Sequence, residues 1–208
     1  MTTVSVGAII NAAAMAAVTL AGCGGSQPEG AAPEAAAQST TKAAARSSTS
    51  KRPRGVVEDC STRSEASFPA AFTDPQNLIV GPLVLVGAAY TPPSTVRDVG
   101  GNKFPVLLRA GHRVTVALPR RTRRVAGLGY GPLPHGVELS PHDGHRVVTF
   151  IACRRGEPSG SDADRQPVTF WSGFVLTRSP RCIPLEVWIN DEPAPRRVML
   201  RMGVRQCP

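Results

Sequence analysis

Between residues 145 and 190, apolar and polar side chains alternate with a period of two, in segments bounded by Gly, Pro, Ser and Asp. Val148, Phe150 and Ala152 share one parity against Val147, Thr149 and Ile151, and Val168, Phe170, Phe174 and Leu176 share another against Thr169, Trp171 and Val175. Ile183, Leu185, Val187 and Ile189 repeat the rule, with Glu186 outward. Successive side chains of a strand point to opposite faces, so this period predicts strands, and no helical period competes with it. Further strands are expected over 78–87, where Gly81-Pro82 interrupts the run, and over 104–109, 112–118, 136–140 and 196–204. In the last of these Val198, Leu200, Met202 and Val204 share a face. Short strands separated by Gly/Pro turns predict an all-β fold, an antiparallel β-sandwich that is immunoglobulin-like in broad architecture. Trp171 and Trp188 carry the outward parity, which suits either a ligand surface or a second sheet packed over them.

The alternation stops before residue 55. Residues 1–23 contain no charged side chain and hold a Val/Ile/Ala/Leu-rich run, short for a membrane span and ending in small residues, as the apolar region of an export signal does. At its end Leu20-Ala21-Gly22-Cys23 resembles the lipobox of bacterial lipoproteins at all four positions, although the Lys or Arg usual near the start of such signals is missing. The resemblance implies cleavage before Cys23, acylation of that cysteine and a cell-membrane location, lipid-anchored on the extracytoplasmic side. Two or three acyl chains, at about 0.8 kcal/mol per buried methylene, would hold the protein firmly. Residues 24–54 lack large apolar side chains and cannot offset the entropy of ordering, so a tether is expected. The expected organisation is a signal peptide over 1–22, the lipidated Cys23 with a flexible tether over 23–54, and a sandwich domain over 55–208.

Charge adds a partner class. Arg outnumbers Lys by 21 to 3, a usage that resembles GC-rich bacteria such as actinobacteria, and the formal net charge is +9. With the two glutamates and five basic residues before position 55 set aside, nineteen basic and thirteen acidic residues leave the domain near +6, which favours anionic neighbours. The densest cluster, Arg120-Arg121-Thr122-Arg123-Arg124, directly follows an expected strand. Guanidinium forks match phosphate and carboxylate, so Arg120, Arg121, Arg123 and Arg124 are candidate ligands for an anionic envelope polymer or another surface protein. The competing role is an exposed hairpin tip that keeps the domain soluble. Lys51, Arg52 and Arg54 form a second basic group suited to anionic lipid or wall polymer. Nucleic acid is not expected as a partner of an exported chain without stacking aromatics beside its basic cluster.

With Cys23 assigned to the anchor, Cys60, Cys153, Cys182 and Cys207 are an even set in an exported chain, where disulfides persist. Cys60 and Cys207 lie near the domain's two ends, whereas Cys153 and Cys182 end and begin central strands. The expected pairing is therefore 60–207 with 153–182, and the cross-pairings stay open. Two of these cysteines also carry enzyme resemblances. Ala110-Gly111-His112-Arg113 resembles the histidine segment of sortases, and Thr149 to Cys153 followed by Arg154 and Arg155 resembles their strand-borne nucleophile, which implies a Cys153 thiolate assisted by His112. The arginine of that family lies further along, on a neighbouring strand. Ser179-Pro180-Arg181-Cys182 is similar to the cysteine motif of L,D-transpeptidases, with His135 upstream, but the His-Gly before the cysteine is missing.

The remaining motifs favour turns over chemistry. His142-Asp143-Gly144-His145, with His135 nearby, offers zinc-type ligands, yet the spacing fits a hairpin loop in which Asp and Gly supply turn geometry. Asp162 and Asp164 lack the further carboxylates of a calcium loop, and Ser140, His142 and Asp143 are too close in sequence to build a hydrolytic triad. No metal, cofactor or catalytic centre is expected. The sequence thus reads as a membrane-anchored surface lipoprotein, a non-catalytic binding or structural module of the envelope, with a cysteine acyltransferase acting in the cell wall as the alternative.

Overall fold

A computed structural model describes residues 51–208; the expected export signal, Cys23 and the expected tether up to residue 50 lie outside the described residues. The strands are β1 (Val56–Glu58), β2 (Ser67–Phe68), β3 (Leu78–Val80), β4 (Leu83–Leu85), β5 (Gly101–Lys103), β6 (Val106–Arg109) and β7 (Arg113–Ala117), then β8 (Gly127–Gly129), β9 (Val147–Ile151), β10 (Ser161–Ala163), β11 (Gln166–Trp171), β12 (Phe174–Leu176), β13 (Arg181–Ile189) and β14 (Arg196–Met202). A seven-residue helix, α1 (Pro93–Val99), interrupts the series. None of the described helices is long and apolar enough to cross a membrane.

Three sheets build an all-β sandwich. Their orders are β1-β9-β7-β13-β14, β2-β10-β11-β6-β4-β3 and β5-β12-β8. The alternating positions of the first sheet, among them Val114, Val116, Phe150, Leu185, Val187 and Leu200, pack into one core with Leu83, Leu85, Leu108 and Trp171 of the second and Leu128 and Val175 of the third. Each such side chain, removed from water, stabilises by about 1.5–3 kcal/mol. The six-stranded sheet is buried on its other face as well, where Val84, Leu107, Val168 and Phe170 meet Ala71, Phe68 and Phe72. Burial on both faces resolves Trp171: its outward parity turns it into the main core, and it is buried. Trp188 stands on the opposite side of β13 from that core and is buried too.

Turn chemistry sets the register. Gly81 takes a φ of +60° and, with Pro82, closes the two-residue hairpin in which Val80 faces Leu83. Asp164 and Arg165 both take positive φ, as a two-residue turn of the primed type requires, and close β10 onto β11. The expected strand over 136–140 does not form. Gly136 has a φ of +71°, Val137 is 60% exposed, and the stretch runs as irregular surface chain. Most pairings are antiparallel, with two exceptions that both involve early strands: β1 lies parallel to β9, and β2 parallel to β10.

The first exception corrects the disulfide pairing. The bridges are Cys60–Cys153 and Cys182–Cys207, not 60–207 with 153–182. The strands nearest the two ends of the domain, β1 and β14, are opposite edges of one five-stranded sheet. Four strand spacings separate them, about 19 Å, well beyond the reach of a disulfide. Because β1 runs parallel to β9 with Glu58 opposite Phe150, the chain leaves both strands side by side, and Cys60 meets Cys153 at a Cα separation of 4.8 Å. On the far edge Cys182 faces Arg201 in the β13/β14 ladder, and a turn through Gly203 (φ +74°) returns Cys207 to it.

Candidate functional site

All four domain cysteines are therefore cross-links. Cys153 is fully buried, its N–H donates to Thr169 Oγ1 at 2.8 Å, and its sulfur is joined to Cys60. The topology does bring the histidine of the sortase-like segment alongside, since the main-chain carbonyl of His112 accepts the N–H of Ala152 at 3.0 Å. The His112 ring is engaged elsewhere, with its Nδ1 3.0 Å from the Asn190 amide nitrogen. His135 sits in exposed chain. Among the described residues the one grouping of metal-type ligands is Cys60, Cys153 and Glu157, and its two sulfurs are spent on each other.

The His-Asp-Gly-His stretch is the turn its composition suggested. Asp143 Oδ2 accepts from both the N–H and the hydroxyl of Ser140, at 2.8 and 2.7 Å, and these hydrogen bonds hold its carboxyl below the usual range. His145 places its Nε2 3.0 Å from the carbonyl of Pro132. Asp164 is likewise structural, accepting the N–H of Phe72 at 3.2 Å.

The arginine cluster at 120–124 divides. Arg120–Thr122 forms one 3-10 turn after β7, with Arg120, Arg121 and Arg124 exposed. Arg123 turns back and donates from Nε to the carbonyl of Leu118 at 3.1 Å, which makes it a tie for the end of β7. Near it Arg146 donates to the carbonyls of Ala126 and Pro141, and burial, followed by the like charge of Arg123, pushes its guanidinium below its ordinary range. Arg121 instead lies with Arg197 and Glu186 along a shallow groove over β13 and β14. The cluster is thus not one anion cradle.

A more coherent basic site lies on the outer face of the five-stranded sheet. Lys51, Arg52, Pro53 and Arg54 run beside Arg113, Thr115, Thr149, Ile151 and Val57 and line an open cleft of about 550 Å³. Gly55 permits this course: a Cβ there would stand 2.0 Å from the carbonyl oxygen of Val147, so only glycine lets the chain approach β9 before β1 begins. The lining holds four cations and no carboxylate. The described ion pairs are Arg196 with Glu192 and Arg197 with Glu186, so none of the four is neutralised among the described residues. At the floor, Thr115 and Thr149 face each other across β7 and β9 and share one hydrogen bond of 2.9 Å between their hydroxyls. Two hydroxyls sharing one bond leave a hydrogen over.

Sequence reasoning singled out Lys51, Arg52 and Arg54 as a basic group and missed their partners. Arg113, Thr115 and Thr149 come from strands separated by about thirty residues of chain and meet only through the β7/β9 register. The available signal was a polar residue at the outward parity of two otherwise apolar strands. Comparisons with protein-family models, characterised proteins and solved structures return no match to this chain.

Proposed function

We propose that this protein is a lipoprotein of the cell envelope, held to membrane lipid through an acylated Cys23 on the extracytoplasmic side, whose folded domain is a non-catalytic module that binds an anionic envelope component. The observation that carries this reading is the disulfide pair. Two bridges that employ every domain cysteine fit an exported chain, because such bonds persist only where reductants are scarce. They also remove what the acyltransferase alternative requires, a thiolate at Cys153 or Cys182. The Leu20-Ala21-Gly22-Cys23 sequence supplies the anchor, and the surplus of arginine over carboxylate supplies the preference for anions.

The test is direct. Expressed in a lipoprotein-exporting bacterium, the wild-type chain should incorporate labelled fatty acid and sediment with membranes, and Cys23→Ala should do neither. Equal labelling of the two would overturn the anchor. Thiol titration of the exported, unreduced protein should find no reactive cysteine in the domain, and rapid alkylation of Cys153 would restore the enzyme reading.

A further inference from the structure

We propose that the cleft between residues 51–55 and the outer face of β7 and β9 is a binding site for the phosphate ester of a small polyol, of the glycerol phosphate type. The inference deepens the binding-module reading by naming the chemistry of the ligand. Its test does not pass through Cys23, so either can fail without the other.

The donor set selects an oxyanion. Lys51, Arg52, Arg54 and Arg113 surround the cleft, with no carboxylate in its lining and no ion pair to any of them among the described residues. Four cations line one cleft, and an anion seated there would be attracted by each of them. Arg54 and Arg113 present planar forks that match two phosphate oxygens at once. Thr115 is buried and Thr149 partly exposed, so when Thr115 donates the shared bond the Thr149 hydroxyl hydrogen is left for a ligand. In register with Thr115, on the same side of the sheet, stands Trp188, whose buried indole N–H has no partner among the described residues. Apart from the lone pairs of the two hydroxyls, the side-chain polar groups lining the cleft are donors or cations.

Size and lining narrow the class further. About 550 Å³ accommodates more than a bare phosphate, and Pro53, Val57 and Ile151 give the cleft an apolar wall against which carbon can lie. Val57 is half exposed there. An inorganic ion would leave that wall in water, whereas a glycerol backbone would cover it. The same headgroup occurs free, or displayed on an anionic phospholipid surface, and the cleft's chemistry is common to both.

The experiment compares the full-length chain with the double variant Arg54→Gln/Arg113→Gln and with a control, Arg120→Gln/Arg124→Gln, that removes the same charge from the exposed turn after β7. Both pairs are exposed, and unchanged thermal midpoints verify that each variant is folded. In calorimetric titration with glycerol phosphate, saturable binding should weaken at least tenfold in the cleft variant and stay within twofold in the control. In a second arm each protein, carrying Cys23→Ala so that no acyl chain contributes, is sedimented with phosphatidylcholine vesicles with and without phosphatidylglycerol, and sedimentation is read as the difference between the two. Loss of sedimentation in the cleft variant alone assigns the lipid headgroup as the source; loss of glycerol phosphate binding with unchanged sedimentation assigns the free ester. Absence of glycerol phosphate binding to the wild-type chain at millimolar concentration overturns the proposal. So does equal weakening in the two variants, because the attraction would then belong to net charge and not to the cleft.

Discussion

The indole N–H of Trp171 donates to the main-chain carbonyl of Asp59 at 3.0 Å, across 112 residues of sequence, and lies 3.2 Å from Thr62 Oγ1. The same ring packs on Phe150 at a centroid distance of 5.2 Å. Trp171 belongs to β11 of the six-stranded sheet and Phe150 to β9 of the five-stranded one, so this side chain joins the two layers and the segment that follows β1. Trp171→Phe removes the hydrogen bond and leaves a void, and should cost about 2–4 kcal/mol of unfolding free energy in denaturant titration, against well under ~1 for an exposed site such as Arg124→Gln.

Non-reducing peptide mapping should recover Cys60 linked to Cys153 and Cys182 linked to Cys207. The two bridges close loops of very different size, with sequence separations of 93 and 25. In the chain-entropy account these stabilise by about 4.6 and about 3.5 kcal/mol. Cys60→Ala/Cys153→Ala should therefore melt below Cys182→Ala/Cys207→Ala. The reverse order would show that strain or residual structure outweighs loop length.

Tyr130 gives a pH signature. Its hydroxyl donates to the carbonyl of Phe104 at 2.8 Å inside the core, and burial holds the phenol far above its ordinary value of 10.0. The folded state keeps its proton where the unfolded state begins to lose it, so stability is unaffected below pH 10 and falls as the pH rises further. Spectrophotometric titration of the native protein should leave Tyr130 silent until unfolding releases it. Tyr130→Phe leaves the Phe104 carbonyl unpaired and should cost about 1–3 kcal/mol.

Asp59 gives the opposite sign. The Ser61 hydroxyl and N–H both donate to Oδ1, at 2.6 and 2.8 Å, and hold the carboxyl below its ordinary 3.8. That small contribution is present at neutral pH and disappears as the pH falls through the lowered value. Carbon-detected NMR titration should place Asp59 below a solvent-exposed aspartate, and Ser61→Ala should bring it back toward the ordinary value.

Gly55→Ala tests the seating of the first strand. Its Cβ would stand 2.0 Å from the Val147 carbonyl oxygen, so β1 must shift away from β9. The expected cost is about 1–3 kcal/mol, with faster hydrogen exchange in residues 56–58. An unchanged midpoint would mean that β1 contributes little to the fold.

What the sequence made legible follows from how each element is held. β9, β11, β13 and β14 are long enough for alternation to register, and their faces were read correctly at Val148, Phe150, Ile183 and Leu185. Alternation tells which residues share a face but not whether the other face is covered, which is why Trp171 read as outward although the five-stranded sheet covers its face while segment 66–72 covers that of Val168 and Phe170. β8 escaped notice because Gly127 and Gly129 flank a single leucine. They are there for clearance: a Cβ on Gly129 would stand 2.4 Å from the Phe174 ring. Helix α1 buries only Val96 and carries no periodic stripe, and its signals were Pro93 at the start and Gly100 at the end. Neither the cystine pairing nor the cleft was visible. Both depend on which strands lie adjacent, and the parallel β1/β9 contact leaves no local trace in sequence.

That contact also decides how the domain would answer a pull. Tension on the chain entering at residue 51 loads β1 along its length, and once its three residues slip from β9 the next covalent stop is Cys60. The bridge to Cys153 then diverts the force into the strand it has just left, beside the centre of the five-stranded sheet. Unravelling from this end would halt within ten residues, and the domain would bear mechanical load as a bolted unit and not as a zipper.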